Sequence, residues 1–344
     1  MQTRRTFLGS MGAAAALSVA GREVFAGEAR AGETDTKDVD AAERGSADAA
    51  ASGEKMLFWV AVSTPCDKNL NFDPELYKDL LVYLKSQGAD GVVVLGTTGE
   101  FPSFSCAERK KVAETAFKNK NGLNIIVSSG TSNFPETIEL SKHAEENGAD
   151  GLLIVPPFYY KHPRREALTK YYSMIFEQVK IPINLYHIPF ASGVAISLEL
   201  LHSLEQYPNL AGIKDSVDDA EEYHRFVKEF PNLNMRTGTD VNLKYALEHG
   251  MGAILAEGNN FTKQISAVFA AKRAGKDIDE PIAKLNAALK LLRAGGVDEY
   301  GPMKYALSLQ MGTRQFYQRP PNSDVTEEQK AKIKAALEEI KRTG

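Results

Sequence analysis

Gly88-Ala89-Asp90-Gly91-Val92-Val93-Val94-Leu95-Gly96 and Gly148-Ala149-Asp150-Gly151-Leu152-Leu153-Ile154-Val155-Pro156 are two copies of one pattern. Each begins with a glycine suited to the residue just past a helix end. Each continues as an unbroken apolar run, which marks a strand buried on both faces and hence a parallel sheet. The same unit, apolar run then amphipathic stretch, recurs from Leu57. Strands are predicted at 57–65, 91–96, 124–130, 151–156, 182–187, 210–214, 234–238 and 252–256. Helical periodicity follows at 74–87, 107–119, 135–147, 165–179, 198–206, 219–229, 242–249 and 262–274. Eight such units predict an α/β fold, a (β/α)8 TIM barrel over residues 56–276. An open doubly wound sheet is the alternative, but no Gly-x-Gly-x-x-Gly follows the first strand. Further helical stretches at about 280–293, 299–310 and 326–342 predict a C-terminal helical layer over 277–344.

The first 55 residues are not expected to join the fold. Thr3-Arg4-Arg5-Thr6-Phe7-Leu8 resembles a twin-arginine export signal, followed by an apolar stretch from Met11 to Ala20. Cleavage is expected near Ala26 or Ala31, with export from the cytoplasm. The apolar stretch is too short to be a comfortable membrane anchor. Residues 27–55 hold no aromatic residue and no Leu, Ile, Met or Phe. They cannot bury enough surface to order themselves, so a disordered linker is expected.

The 344-residue chain carries a net charge of −4, which gives no sign of a nucleic-acid partner. Cys66 and Cys106 are expected as free, mostly buried thiols, and no Cys/His spacing suggests a metal site.

Chemistry in such a barrel lies at the C-terminal ends of the strands. Leu210-Ala211-Gly212-Ile213-Lys214-Asp215-Ser216 ends an apolar run in a lysine. Burial there favours the neutral amine, a nucleophile for carbonyl carbon, so Lys214 reads as a Schiff-base lysine. A strand-end lysine that snorkels to solvent also fits the pattern taken alone. Gly96-Thr97-Thr98-Gly99-Glu100 offers backbone N–H groups and two hydroxyls, a small anion cradle suited to a carboxylate. A tight turn with a helix cap at Thr98 or Ser105 is its structural alternative. Tyr186, in Leu185-Tyr186-His187-Ile188-Pro189, can move a proton beside a cation, or else pack as a core aromatic. His187 alternates away from it and is expected outside the barrel. Pro156-Pro157-Phe158-Tyr159-Tyr160 is an aromatic loop of the kind that forms oligomer contacts.

In this order and spacing, these motifs resemble the dihydrodipicolinate synthase and N-acetylneuraminate lyase family, the pyruvate-dependent class I aldolases. The resemblance runs from about Leu57 to the C-terminus. It implies that Lys214 attacks the keto carbon of pyruvate or another 2-keto acid, and that Tyr186 shuttles the proton. It further implies that Thr97 relays the proton, and that Thr98, with Gly96 and neighbouring amides, binds the carboxylate. Tyr159 would enter a neighbouring subunit's site, which implies a homo-oligomer, a dimer or tetramer. No metal or organic cofactor is implied, because the iminium is itself the electron sink.

The chain also departs from the family. Synthases carry an arginine two residues beyond the strand-five proline, to grip a carboxylate; here that residue is Ala191. Ser216, Gly238 and Asp240 match positions that line the sugar pocket of the lyases. Val241 stands where the lyases have an acidic residue, and Glu257 is unusual near strand eight. The expectation is therefore cleavage or formation of a C–C bond between pyruvate and an aldehyde, on a 2-keto-3-deoxy sugar acid or similar hydroxylated 2-keto acid. A dehydratase or hydratase-aldolase using the same iminium, the dihydrodipicolinate synthase reaction, and a non-enzymatic keto-acid binding protein are the alternatives.

Overall fold

The computed structural model describes residues 56–297 and 299–343. The export signal and the linker lie outside the described residues. Eight parallel strands close into a barrel in chain order. They are β1 (Phe58–Ala61), β2 (Gly91–Val94), β3 (Asn124–Ser128), β4 (Gly151–Ile154), β5 (Ile183–His187), β6 (Leu210–Asp215), β7 (Asn234–Thr237) and β8 (Ala253–Leu255). Every run that reads as continuous and apolar is a barrel strand, because each strand has the lumen on one face and a helix on the other.

The helices that alternate with these strands are α1 (Pro74–Ser86), α2 (Cys106–Lys118), α3 (Phe134–Glu146), α4 (Arg165–Phe176), α5 (Pro189–Ser192), α6 (Leu198–Leu204), α7 (Ala220–Glu229), α8 (Leu243–Glu248) and α9 (Gly258–Arg273). The C-terminal layer is α10 (Asp279–Ala294), α11 (Tyr300–Met311) and α12 (Glu327–Thr343). Two features depart from the sequence expectation. The one-turn α5 was not foreseen, since Pro189 suits a helix start but four residues show no periodicity. Helix α9 begins at Gly258, four residues early, and takes a non-helical turn at Phe261 where two helical pieces meet.

The caps follow local chemistry. Ser105 opens α2 with a capping box, its hydroxyl accepting from the Glu108 amide while the Glu108 carboxylate accepts from the Ser105 amide. At the N-terminal end of the barrel, Trp59 lies over Gly91, its register partner on β2. A Cβ on Gly91 would come within 2.4 Å of the indole, so only glycine fits beneath it.

Candidate active site

Tyr186, Lys214 and Arg236 are register partners on β5, β6 and β7. In parallel strands, such partners turn their side chains to the same face. That face is the barrel interior. Tyr186 and Lys214 reach a cavity of about 670 Å³ at the C-terminal ends of the strands. The cavity is also lined by Thr97, Thr98, Ser216, Gly238, Asp240 and Glu257. Eight of the ten site residues expected from sequence are thus brought together. Gly96 lies in the turn below without lining the cavity. Tyr159 is exposed on the β4–α4 loop and does not reach the cavity of its own chain.

The Tyr186 hydroxyl is the hub. It lies 3.3 Å from Lys214 Nζ and 3.3 Å from Thr97 Oγ1. Lys214 Nζ also sits 4.5 Å from the centre of the Tyr186 ring. Burial pushes the phenol up, but the charge of Lys214 and hydrogen bonds from Thr97, Ser216 and Lys214 outweigh it. The net shift is downward from the ordinary tyrosine value. Gly238 makes room for this arrangement. A Cβ there would lie 2.2 Å from Ser216 Oγ and 2.9 Å from Lys214 Cε.

The Thr97-Thr98 turn is drawn tight on both sides. Leu95 and Glu100 adopt left-handed backbone conformations, φ 59° and 57°, which non-glycine residues adopt only where their surroundings enforce it. The amides of Glu100 and Phe101 bond back to the carbonyls of Thr97 and Gly96. Neither the Thr97 nor the Thr98 amide is used in such a bond, so both stay available to an anion. Glu100 itself turns away from the cavity. Its carboxylate is buried against Lys304 of α11, whose Nζ also donates to the carbonyls of Thr64 (2.7 Å) and Tyr317 (2.8 Å). Sequence reading did not find this pair, because its members lie 204 residues apart.

Four other charged residues at or beside the site also escaped it, among them Asp218, which lines the cavity just after β6. Arg236 is buried beside Lys214 in register and donates to Asn184 Oδ1; burial pulls its guanidinium down to about 10. Arg293 of α10 crosses to the barrel mouth, donating to both oxygens of Asp240 (2.8 and 3.0 Å) and to Glu257 Oε1 (3.1 Å). Glu299 lines the cavity from the segment before α11. The strand alternation that places Tyr186 inward could have flagged Arg236. Nothing local marks Arg293 or Glu299.

Behind β5 and β6, His187 lies outside the lumen as expected, edge-on to Phe226 of α7. Its Nδ1 accepts from the Ile196 amide, so the ring is held as the neutral Nε2–H tautomer. Burial pulls it down to about 4. Its register partner Asp215 is fully buried with Oδ2 unpartnered, and burial pushes its carboxyl up to about 7. A carboxyl with a raised folded-state pKa stabilises the fold at low pH, and that contribution is lost as pH rises through about 7. Asp215→Asn is therefore expected to gain on the wild type between pH 4 and 7, by on the order of 4 kcal/mol at the upper end. Urea melts of both proteins at several pH values check this; a difference independent of pH would refute it.

The matching sequences and structures agree with the geometry. The model of the dihydrodipicolinate synthetase family matches residues 56–340. An uncharacterised DapA-like lyase of Chloroflexus aurantiacus is 32% identical over 286 residues, covering 81% of this chain and 95% of that protein. The 4-hydroxy-tetrahydrodipicolinate synthase of Pelagibacter ubique is 33% identical over 287 residues, covering 81% and 96%. Among solved structures, CdNal from Clostridium difficile, in complex with mannosamine, superposes with a TM-score of 0.76 at 28% identity, covering 83% of this chain and 99% of that one. The chloride-inhibited dihydrodipicolinate synthase of Acinetobacter baumannii, complexed with pyruvate, gives the same TM-score, identity and coverage. The chain belongs to the dihydrodipicolinate synthetase family, the pyruvate-dependent class I aldolases and lyases.

Proposed function

We propose that this enzyme makes or breaks a C–C bond between pyruvate and an aldehyde through a Schiff base on Lys214. Its substrate, on this reading, is a 2-keto-3-deoxy sugar acid or a similar hydroxylated 2-keto acid. The observation that carries the proposal is the chain Lys214 Nζ, Tyr186 hydroxyl, Thr97 hydroxyl, each step 3.3 Å, at the floor of one cavity. The amine of Lys214 adds to the keto carbon, and the carbonyl oxygen takes a proton from Tyr186. Loss of water leaves an iminium. In the cleavage direction, a base removes the proton of the C4 hydroxyl, the C3–C4 bond breaks, and its electron pair passes into the iminium as an enamine. The aldehyde leaves, C3 is protonated, and water releases pyruvate and the free amine. The substrate carboxylate rests on Thr98 and the open amides of the turn.

The synthase reaction is favoured by the synthases among the relatives. Two features weigh against it. Ala191 cannot grip a carboxylate. Among the described residues, the cations lining the cavity are Lys214 and Arg293, and Arg293 is engaged by Asp240 and Glu257.

The test is borohydride reduction of the protein with pyruvate, followed by peptide mass spectrometry. An adduct on Lys214 is expected; its absence with pyruvate and with a set of 2-keto-3-deoxy acids would defeat the proposal. Product analysis then separates aldol cleavage from dehydration, which share the iminium.

Tyr159 and Tyr160 stand 75% and 72% exposed, and Phe190 is 77% exposed. We assign this aromatic surface to contact with a second copy, with Tyr159 completing the proton relay there. Tyr159→Phe is expected to slow turnover by about tenfold or more without lowering the melting temperature. Unchanged kinetics would remove Tyr159 from the relay.

A further inference from the structure

Beside Lys214, the lining of the cavity has an unusual charge balance. Among the described residues, Asp218, Asp240, Glu257 and Glu299 line it against the single guanidinium of Arg293. That guanidinium is not free to receive a ligand's carboxylate. It grips Asp240 in a fork at 2.8 and 3.0 Å and reaches Glu257 Oε1 at 3.1 Å. Both oxygens of Asp240 are thereby occupied, and one of Glu257. The remaining oxygen, Glu257 Oε2, is buried with no hydrogen-bond partner among the described residues. An oxygen withheld from water without a partner carries a free-energy cost, which a donor on the ligand removes.

We propose that Glu257 is the residue that binds the aldehyde half of the substrate, held in place by the Arg293–Asp240 fork. It selects an aldehyde bearing a hydrogen-bond donor and disfavours one ending in an acidic group. Arg293 is a positioning residue on this account, and it ties the C-terminal layer to the barrel mouth. Burial also holds the Glu257 carboxyl above its ordinary value, in keeping with its withdrawal from water. The inference rests on the aldolase reading proposed above and adds the chemistry of the acceptor.

The experiment is steady-state condensation of pyruvate with D-erythrose, a neutral hydroxylated aldehyde, and with succinic semialdehyde, an acidic one. The wild type is expected to favour erythrose by about tenfold or more in kcat/KM. Glu257→Leu is expected to lose about tenfold on erythrose, chiefly through a higher KM. Glu257→Gln keeps an acceptor oxygen and removes a charge. It should retain most of the erythrose activity and narrow the preference over succinic semialdehyde. Equal use of the two aldehydes by the wild type would overturn the proposal, as would an unchanged KM in a folded Glu257→Leu. If that variant does not fold, the wild-type preference and the glutamine variant decide. The pyruvate trap on the wild type separates the two levels. No adduct overturns the aldolase reading and this inference together. An adduct with the preference reversed overturns this inference alone.

Discussion

Lys214→Ala is expected to abolish the borohydride-trapped adduct and to reduce turnover by at least about a thousandfold, while the protein still folds. The reason is chemical. No other lysine lines the cavity among the described residues, and without the amine no covalent electron sink forms. The fold should tolerate the change, because it removes a buried amine whose hydrogen bond among the described residues is the one to Tyr186. Tyr186→Phe provides the companion test. It keeps the ring beside Lys214 but removes the hydroxyl that joins Lys214 to Thr97, so a loss of about 100- to 10,000-fold in kcat is expected. Rapid-quench trapping with borohydride measures both variants. Turnover near the wild-type rate in Lys214→Ala would sink the Schiff-base mechanism. A Tyr186→Phe protein with normal kcat would move the proton transfer to another group.

Lys304→Met carries the largest expected effect on stability, a loss of about 3–5 kcal/mol. Lys304 is fully buried and Glu100 is 2% exposed. Together they join the turn after β2 to α11, with the second Glu100 oxygen accepting from the Arg319 amide and Asn322 Nδ2 at 3.1 Å each. Removing the ammonium leaves a carboxylate buried beside the Thr64 and Tyr317 carbonyls with no counter-charge. The melting temperature should fall by roughly 10 °C. The turn that carries Thr97 and Thr98 should loosen with it, and adduct formation should slow. Lys304→Met combined with Glu100→Leu should recover much of the stability, because an apolar pair of similar volume avoids the desolvation cost. Calorimetry on the two proteins distinguishes these outcomes. A single variant within about 1 kcal/mol of the wild type would show that the pair is not what holds the layer to the barrel.

Much of this architecture is legible along the chain. The doubled Gly-Ala-Asp-Gly pattern, the apolar runs and the helical periodicities are local; seven of the eight strands lie within their expected ranges, and β6 runs one residue beyond its own, to Asp215. Local patterns suffice there because a barrel repeats one short-range unit, and its sheet order is the chain order. Lys214, Tyr186, Thr97 and Thr98 were legible for the same reason, since each sits at the end of an apolar run and the fold gathers such ends into one place.

The pairs that tune the site were not legible. Glu100 reads as part of an anion cradle, yet its carboxylate belongs to Lys304. Asp240 reads as a sugar contact, yet its two oxygens are taken by Arg293. These ion pairs span 204 and 53 residues, and no spacing rule connects their members. The sequence by itself determined the barrel, the lysine and the tyrosine that meets it, because periodicity and strand ends are properties of neighbours in the chain. Only the tertiary structure decided which carboxylates are spent on arginine or lysine, because charge compensation depends on what the folded chain brings within about 3 Å.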